Sequence, residues 1–512
     1  MRRSCLCFQF VVLISVLQSG VTPAQDVGKG TATGSQSGNG QDFAAVINRH
    51  FGQGIAAEDN ALVLLYEALG PKPEGSYQGD EFFQQLGMAP PAEEGNYFQD
   101  LAAGSSPEAT RKAVDQLDQA LARPWQEEEL PAIAEWIHNN QAALQVISQA
   151  VQRKQWYYPV VPQRDEQGRP RALITTILPH VQQMRSLARC LLCRANLQLK
   201  EHPEQAWHDL LVCHRLGRLT ARGPTLIDYL VGVAINAVAT NGELLLLAEA
   251  ELTPAQLQRF AGDLRQLPPM PAVAESVDVT ERMMFMDTVQ LMSEGRLEMR
   301  ELIGDFNAEE ATMLEKTAMA IVDWDVVRQR GSKAYDKVVQ IMKIDDPLVR
   351  QEAIAQYEQV ITSERQNSGV ASLLGDYIRA GSVRGVLTDK VADSMIALLM
   401  PAFAAVENAQ LRCLQTDVNL QLAFALKRYD AANGSYPAQL NELVPEFAPA
   451  VPPDLFSGKP LIYSTTSDGF LLYSVGQNGQ DDGGLTRDDE PVSGSTTRGD
   501  DLVVRIPRPL TK

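Results

Sequence analysis

Between Val475 and Leu502 the chain places Asp481, Asp482, Asp488, Asp489, Glu490, Asp500 and Asp501 against only Arg487 and Arg498. Carboxylates this crowded repel one another, and either open solvation or a hard cation relieves them. Ca²⁺ takes about six to eight oxygen ligands from carboxylates and carbonyls. The glycine-rich segment 476–484 allows backbone carbonyls to turn inward, although the spacing is not that of an EF-hand loop. Calcium binding and a solvated acidic loop are therefore both open.

A second group has metal-ligand chemistry. Cys190, Cys193, His202, His208, Cys213 and His214 fall within 25 residues, which invites a zinc reading. Cys190 and Cys193 lie in a helical pattern, however, and a helical hairpin over 181–221 spreads the six side chains along its length, whereas zinc needs four on one point. With a turn centred on Glu201 and His202, Cys190 faces Cys213. The two are read as small buried thiols or as a disulfide. Met283, Met284, Met286, Met292 and Met299 crowd one predicted helix as a Cu(I) site or, more simply, as adaptable core. Trp156-Tyr157-Tyr158, followed by Pro159 and Pro162, reads as a recognition wall or as packing between helices.

For catalysis, no nucleophile elbow, His-Glu-x-x-His helix, phosphate loop or dinucleotide fingerprint is present. Ser493-Gly494-Ser495 lies in a tail loop. His202-x-Glu204-x-x-x-His208 has the wrong spacing for two imidazoles on one zinc. Glu309-Glu310 and Asp323-x-Asp325 are carboxylates on a predominantly acidic surface. The sequence assigns no catalytic residue.

The elements that must position these residues begin with an export signal. Arg2 and Arg3 precede an apolar run from Phe8 to Leu17, and Thr22-Pro23-Ala24 supplies a cleavage site before Gln25. The run is shorter than the roughly 20 residues that span a bilayer. Residues 1–24 are accordingly expected to be a signal peptide, and 25–40, rich in Gly, Ser, Thr and Gln, a flexible linker. No transmembrane span is expected in the mature chain, which should be exported to the periplasm or beyond. The 512 residues carry 64 acidic against 45 basic side chains, a formal charge of −19, which repels a phosphate backbone and argues against nucleic-acid partners.

Residues 41–386 read as helical. Val181, Met184, Ala188, Leu191 and Ala195 recur at three- and four-residue spacing, the mark of an amphipathic helix. Ser106-Pro107, His202-Pro203 and Thr253-Pro254 place a proline in a first helical turn. Residues 226–248 are apolar enough to suggest a membrane span, but Asp228, Asn236, Asn241 and Glu243 interrupt them, so a buried helix is expected.

The texture changes over 387–512. Leu411, Leu414, Val418, Leu422, Ala425 and Tyr429 form one apolar stripe down a long helix that Asn433-Gly434 ends, Gly434 suiting a left-handed cap. Leu461–Ser464 and Phe470–Val475 flank Ser467-Asp468-Gly469 as a hairpin, and Leu502–Ile506 is a third strand. A helix with one apolar face and strands with alternating faces cover each other most economically. The expected fold is mainly α, a large helical region followed by a small α+β module in which a long helix packs on a short antiparallel sheet.

In this tail Ala425-Leu426, Tyr429, Gly434, Tyr436-Pro437, Leu440, Leu443, Pro452, Asp454, Ser457-Gly458, Pro460, Tyr463, Phe470, Tyr473-Ser474, Gly476 and Gly479 arrive in an order that resembles the C-terminal part of type II secretion major pseudopilins. The resemblance covers about a fifth of the chain. It implies a long helix on a small antiparallel sheet and a calcium-binding loop, whose ligands carry over to Ser474, Asn478, Asp481, Asp482, Asp500 and Asp501. Asn478 stands where that family more often has Asp, and the segment 482–500 is long. No pseudopilin processing site precedes an apolar helix at the N terminus, so assembly into a pseudopilus is not implied. Such tails also end large exported bacterial proteins. The expected role is non-enzymatic, in binding or envelope organisation through a protein or envelope partner. An accessory part of a secretion or pilus-like apparatus and an exported hydrolase are the alternatives.

Overall fold

The computed structural model describes residues 41–508 except 74–77, 105, 177, 303–318, 367–381, 401–402, 467–468, 488 and 490–498. The export signal, the linker, the hairpin residues Ser467 and Asp468, Glu309-Glu310, Ser493-Gly494-Ser495, Asp488, Glu490 and Arg498 lie outside the described residues.

The protein is mainly helical, with a three-stranded antiparallel sheet near the C terminus. Helices α1 (Phe43–Gly52), α2 (Ala61–Leu69), α3 (Gly79–Leu86), α4 (Pro107–Ala122), α5 (Pro131–Asn139) and α6 (Gln141–Ala150) precede a central trio. That trio is α7 (Pro179–Gln198), α8 (Pro203–Thr220) and α9 (Leu226–Glu249). Then follow α10 (Pro254–Gln266), a π-helical stretch Val277–Glu281, α11 (Arg282–Ser293), α12 (Trp324–Met342), α13 (Pro347–Gln366), α14 (Val383–Leu399) and α15 (Phe403–Asn433). Each of the three sequence-predicted proline starts is the first residue of a helix, α4, α8 and α10. Ser106 caps α4 through the Ala109 N–H, and Thr253 with Gln256 closes a capping box on α10, which satisfies donors that have no partner inside the helix.

The central trio is largely buried, on more than one face of each helix, and its composition shows why. The predicted stripe Val181, Met184, Ala188, Leu191 and Ala195 is buried, but so are Cys190, Leu192, Cys193 and Asn196 on the other faces of α7. Helices α8 and α9 approach until backbone meets backbone. A Cβ on Gly217 would sit 2.9 Å from the Gly232 carbonyl oxygen, and one on Gly232 only 2.5 Å from that of Gly217. Helix α9 passes for a membrane span by length and composition, yet 61% of its apolar window is buried inside the protein; the same holds for 50% of an apolar window within 383–433. Of its interrupting polar residues, Asp228, Asn236 and Glu243 have buried partners, while Asn241 is exposed.

Strand β1 (Ile462–Thr465) pairs with β2 (Phe470–Ser474), and β2 with β3 (Leu502–Ile506), both antiparallel, with Thr465 opposite Phe470 and Phe470 opposite Ile506. Helix α15 crosses this sheet and ends at Asn433, where Gly434 adopts φ +75°. Leu411, Leu422 and Ala425 of the predicted stripe are buried, while Leu414, Val418 and Tyr429 are half-buried. Cys413, Gln415, Leu420, Phe424 and Leu426 are buried as well. One stripe is too narrow a description because α15 has two neighbours. Its far face packs on α9 and α10, and a single core runs from Leu210, Trp207 and Phe260 through Leu420 and Phe424 to Phe470 and Val504. Asn419 reaches the sheet by donating to the Leu502 carbonyl at 2.9 Å.

Candidate functional site

The acidic loop forms where the chain leaves the sheet at Ser474. Asp454, buried beside the end of β2, catches that exit: one carboxylate oxygen accepts from Ser474 Oγ at 2.9 Å and the Phe456 N–H at 2.8 Å, the other from the Val475 N–H at 3.0 Å. Gly476 follows with φ +65°, and a Cβ there would lie 2.1 Å from the Asp500 carbonyl oxygen, so only glycine fits this crossing.

Two buried carboxylates hold the loop from inside. Asp500 Oδ2 accepts from the N–H groups of Gln477 at 2.9 Å and Asn478 at 3.2 Å, and its Oδ1 receives Arg412 of α15 at 2.9 Å and Arg487 at 2.6 Å. Asp501 Oδ2 accepts from the Gly484 N–H at 2.8 Å. Asp482 accepts from Asn478 Nδ2 and from the Asp500 N–H, both at 2.8 Å. Asp481 accepts from the Tyr473 hydroxyl and the Gly483 N–H, both at 2.9 Å. Asp489 turns back on Thr486.

Thus Asn478, Asp481, Asp482, Asp500 and Asp501 come together, with Ser474 one layer inward on Asp454. Sequence reasoning missed Asp454 and Arg412 as members. Asp454 stood among the residues that carry the resemblance, whereas nothing in the pattern of α15 marks Arg412. Among the described residues no group of three or more His, Cys, Asp or Glu side chains is arranged to hold a metal ion. The loop oxygens are engaged by N–H groups, by the Tyr473 and Thr486 hydroxyls and, at Asp500, by guanidinium.

The two adjacent aspartates have opposite electrostatics. Burial raises the Asp500 carboxyl, but Arg487 and Arg412 outweigh it and hold the group below its usual range. Burial pushes Asp501 up to about 6 against the hydrogen bonds from Gly484 and Asp482, and the neighbouring charges of Asp482 and Asp481 push the same way. Among the described residues no cationic side chain bonds Asp501, whereas two bond Asp500.

Most of the other chemistry-bearing residues are interior ties. Cys190, Cys193, Cys213 and Cys413 are free and buried, so the Cys190–Cys213 disulfide does not form, and burial raises all four thiols. His202 and His208 are exposed, whereas His214 is buried on Glu243 and Asn236. The six soft ligands do not converge. His180, fully buried, meets Asp228 at 2.6 Å and stacks on Tyr158 at 3.8 Å. Met283, Met284 and Met286 pack beside Phe43 and Ile47. The Trp156-Tyr157-Tyr158 run is buried, with Asn60 bonding both the N–H and the carbonyl of Tyr157. It packs between helices. Asp323 caps α12 and pairs with Arg384 at 3.0 Å.

No protein-family model, no curated protein and no solved structure matches the chain.

Proposed function

We propose that this chain is an exported, non-enzymatic protein that acts in binding or envelope organisation and presents a pseudopilin-like module at its C terminus. The observation that carries the reading is α15 laid across the three-stranded sheet, with a carboxylate-rich loop leaving β2 at Ser474. The imidazole–carboxylate pairs His180–Asp228 and His214–Glu243 support it, because both are withdrawn from solvent and spent on joining helices. The partner is a protein or envelope component, and a role beside a secretion or pilus-like apparatus is the neighbouring alternative.

The same loop takes calcium in this reading, with Asp481, Asp482 and Asp501 supplying charge, and Ser474, Asn478 and Asp500 at its base. What supports it is Asp501, whose carboxyl is raised beside two further acids, an arrangement that a bound cation relieves. Two experiments test the reading. Expression with residues 1–24 and cell fractionation should give a mature chain starting at Gln25 outside the cytoplasm; cytoplasmic retention with an intact N terminus overturns export. Thermal unfolding of the full chain in millimolar calcium should show a higher midpoint than in chelator, and the rise should vanish in Asp501→Asn. An unchanged midpoint makes the loop a clasp and nothing more.

A further inference from the structure

His214 of α8 sits 1% exposed between two acceptors. Its Nδ1 is 2.9 Å from Asn236 Oδ1, and its Nε2 is 2.8 Å from Glu243 Oε2. The orientation of the Asn236 amide is fixed independently. Its Nδ2 lies 2.9 Å from Asp417 Oδ1, while Asp417 Oδ2 receives Arg218 at 2.8 Å. A carboxylate held by a guanidinium accepts hydrogen bonds and does not donate them, so the amide nitrogen must face Asp417 and the amide oxygen must face His214. Nδ1 therefore carries a proton. The contact between Nε2 and Glu243 needs a second one, because a bare ring nitrogen and a bare carboxylate oxygen at 2.8 Å repel. We infer that His214 and Glu243 form a proton-holding latch beneath the C-terminal helix: one proton is shared between Nε2 and Oε2 at neutral pH, and its loss on the alkaline side weakens the seating of α15 on α8 and α9.

The charged groups bearing on the pair come from three helices. Arg218 comes from α8 itself, Glu243 from α9 and Asp417 from α15. On the neighbouring α7, Arg194 is spent on Asp209 of α8 through bonds of 2.6 and 2.7 Å. Burial lowers the imidazole, but Glu243 and Asp417 outweigh it and raise it overall, with Arg218 opposing. Burial also raises Glu243, whose second oxygen is buried with no hydrogen-bond partner among the described residues. Both members thus favour keeping the proton, whichever side of the bond it occupies. Loss of it would leave two carboxylates, Glu243 and Asp417, facing Arg218.

The sign follows from linkage. An unfolded histidine gives up its proton above a pH of about 6.5, whereas the folded pair keeps it, so folding takes up one proton at mildly alkaline pH. The unfolding equilibrium constant must then rise about tenfold per pH unit from this pair alone until the folded pair titrates. Glu243→Gln isolates it, because the glutamine amide donates to Nε2 and leaves a neutral ring. Chemical unfolding of the full chain and of Glu243→Gln between pH 7 and 9 should give a ratio of unfolding constants that climbs about tenfold per unit. A flat ratio overturns the latch. Should the variant fail to fold, ¹⁵N-histidine resonances of the unaltered protein at pH 8 read the same point. His214 should show a protonated Nδ1 and a far-downfield proton in its bond to Glu243, and a bare Nδ1, or no proton in that bond, overturns it.

Discussion

Arg218 of α8 donates to Asp417 of α15 at 2.8 Å across 199 residues of chain, and its other terminal nitrogen donates to the Pro268 carbonyl at 2.6 Å. Both side chains are mostly buried, 9% and 16% exposed. A pair at this depth is costly to desolvate, so it is not itself a large source of stability. It also marks the register of α15, which lies with Asp417 opposite Arg218 and Asn236. The Arg350–Glu407 pair, 2.8 Å apart, fixes the same helix one end further along, and Arg412–Asp500 at 2.9 Å joins it to the acidic loop.

Breaking such a pair from one side leaves the other charge stranded. Arg218→Ala should destabilise the full chain by about 3–5 kcal/mol, read from the urea midpoint, because Asp417 remains beside Glu243. Removing both charges with Arg218→Met and Asp417→Leu should cost much less than the single change. A single variant within about 0.5 kcal/mol of the parent, the range of an ordinary surface change, would show that α15 does not need this contact.

The crossing of α8 and α9 gives a sharper contrast. Gly232→Ala forces a methyl carbon against the Gly217 carbonyl at 2.5 Å and the Ala221 N at 2.6 Å, and helix separation should cost about 1–3 kcal/mol. Gly262, in the middle of α10, has nothing within 4 Å of its missing Cβ. Gly262→Ala should therefore stabilise by about 0.5–1 kcal/mol through helix propensity. Opposite signs in the melting temperatures of the two variants are expected, and two stabilised proteins would mean that the helices can part without penalty.

Continuity of the core makes a prediction about fragments. Phe424 of α15 lies with its ring 5.6 Å from that of Trp207, which itself stacks on Phe260 at 4.3 Å. A piece beginning near 400 exposes Leu420 and Phe424, and the complementary piece exposes Trp207 and Phe260. Calorimetry should find no cooperative transition for residues 400–508 alone at the temperature at which the full chain melts. A separate, reversible transition in that fragment would show that the sheet suffices to support α15.

These contacts also explain what the sequence could reveal. Proline starts, the Gly434 cap, the three strands and the α15 stripe were legible because each is set by neighbours in sequence, through fixed φ, a missing Cβ or a repeating spacing. The polar residues of α9 were legible as exceptions to an apolar run, and their partners were not. His180, His214 and Asp417 lie 48, 22 or 29, and 181 residues from the α9 side chains they meet, and no local pattern records such a meeting. The acidic loop was visible as charge. That Asp454 and Arg412 belong to it follows only from α15 crossing the sheet.

The loop's two adjacent aspartates should respond to pH in opposite directions. Asp501, pushed up to about 6 from an unfolded value near 3.8, binds its proton more tightly in the folded protein. Its contribution is therefore complete below about pH 4 and lost as the pH rises to about 6, after which it is constant. Asp501→Asn keeps an oxygen for the Gly484 N–H without the charge, so it should equal the parent at about pH 4 and exceed it by about 1–2 kcal/mol above about pH 6. That range follows because each tenfold change in proton affinity is worth about 1.4 kcal/mol, which solvent reaching the loop then reduces. Asp500 is held low by Arg487 and Arg412, so its contribution is present above about pH 4 and disappears as the pH falls further. Asp500→Asn should be the weaker protein at neutral pH and approach the parent in acid. Urea titrations of the three proteins at about pH 3.5, 5 and 7 measure this directly, and parallel curves would mean that the loop carboxylates sit in ordinary solvent. If calcium fills the loop, millimolar calcium should abolish the advantage of Asp501→Asn at neutral pH, because the cation then supplies what the substitution provides.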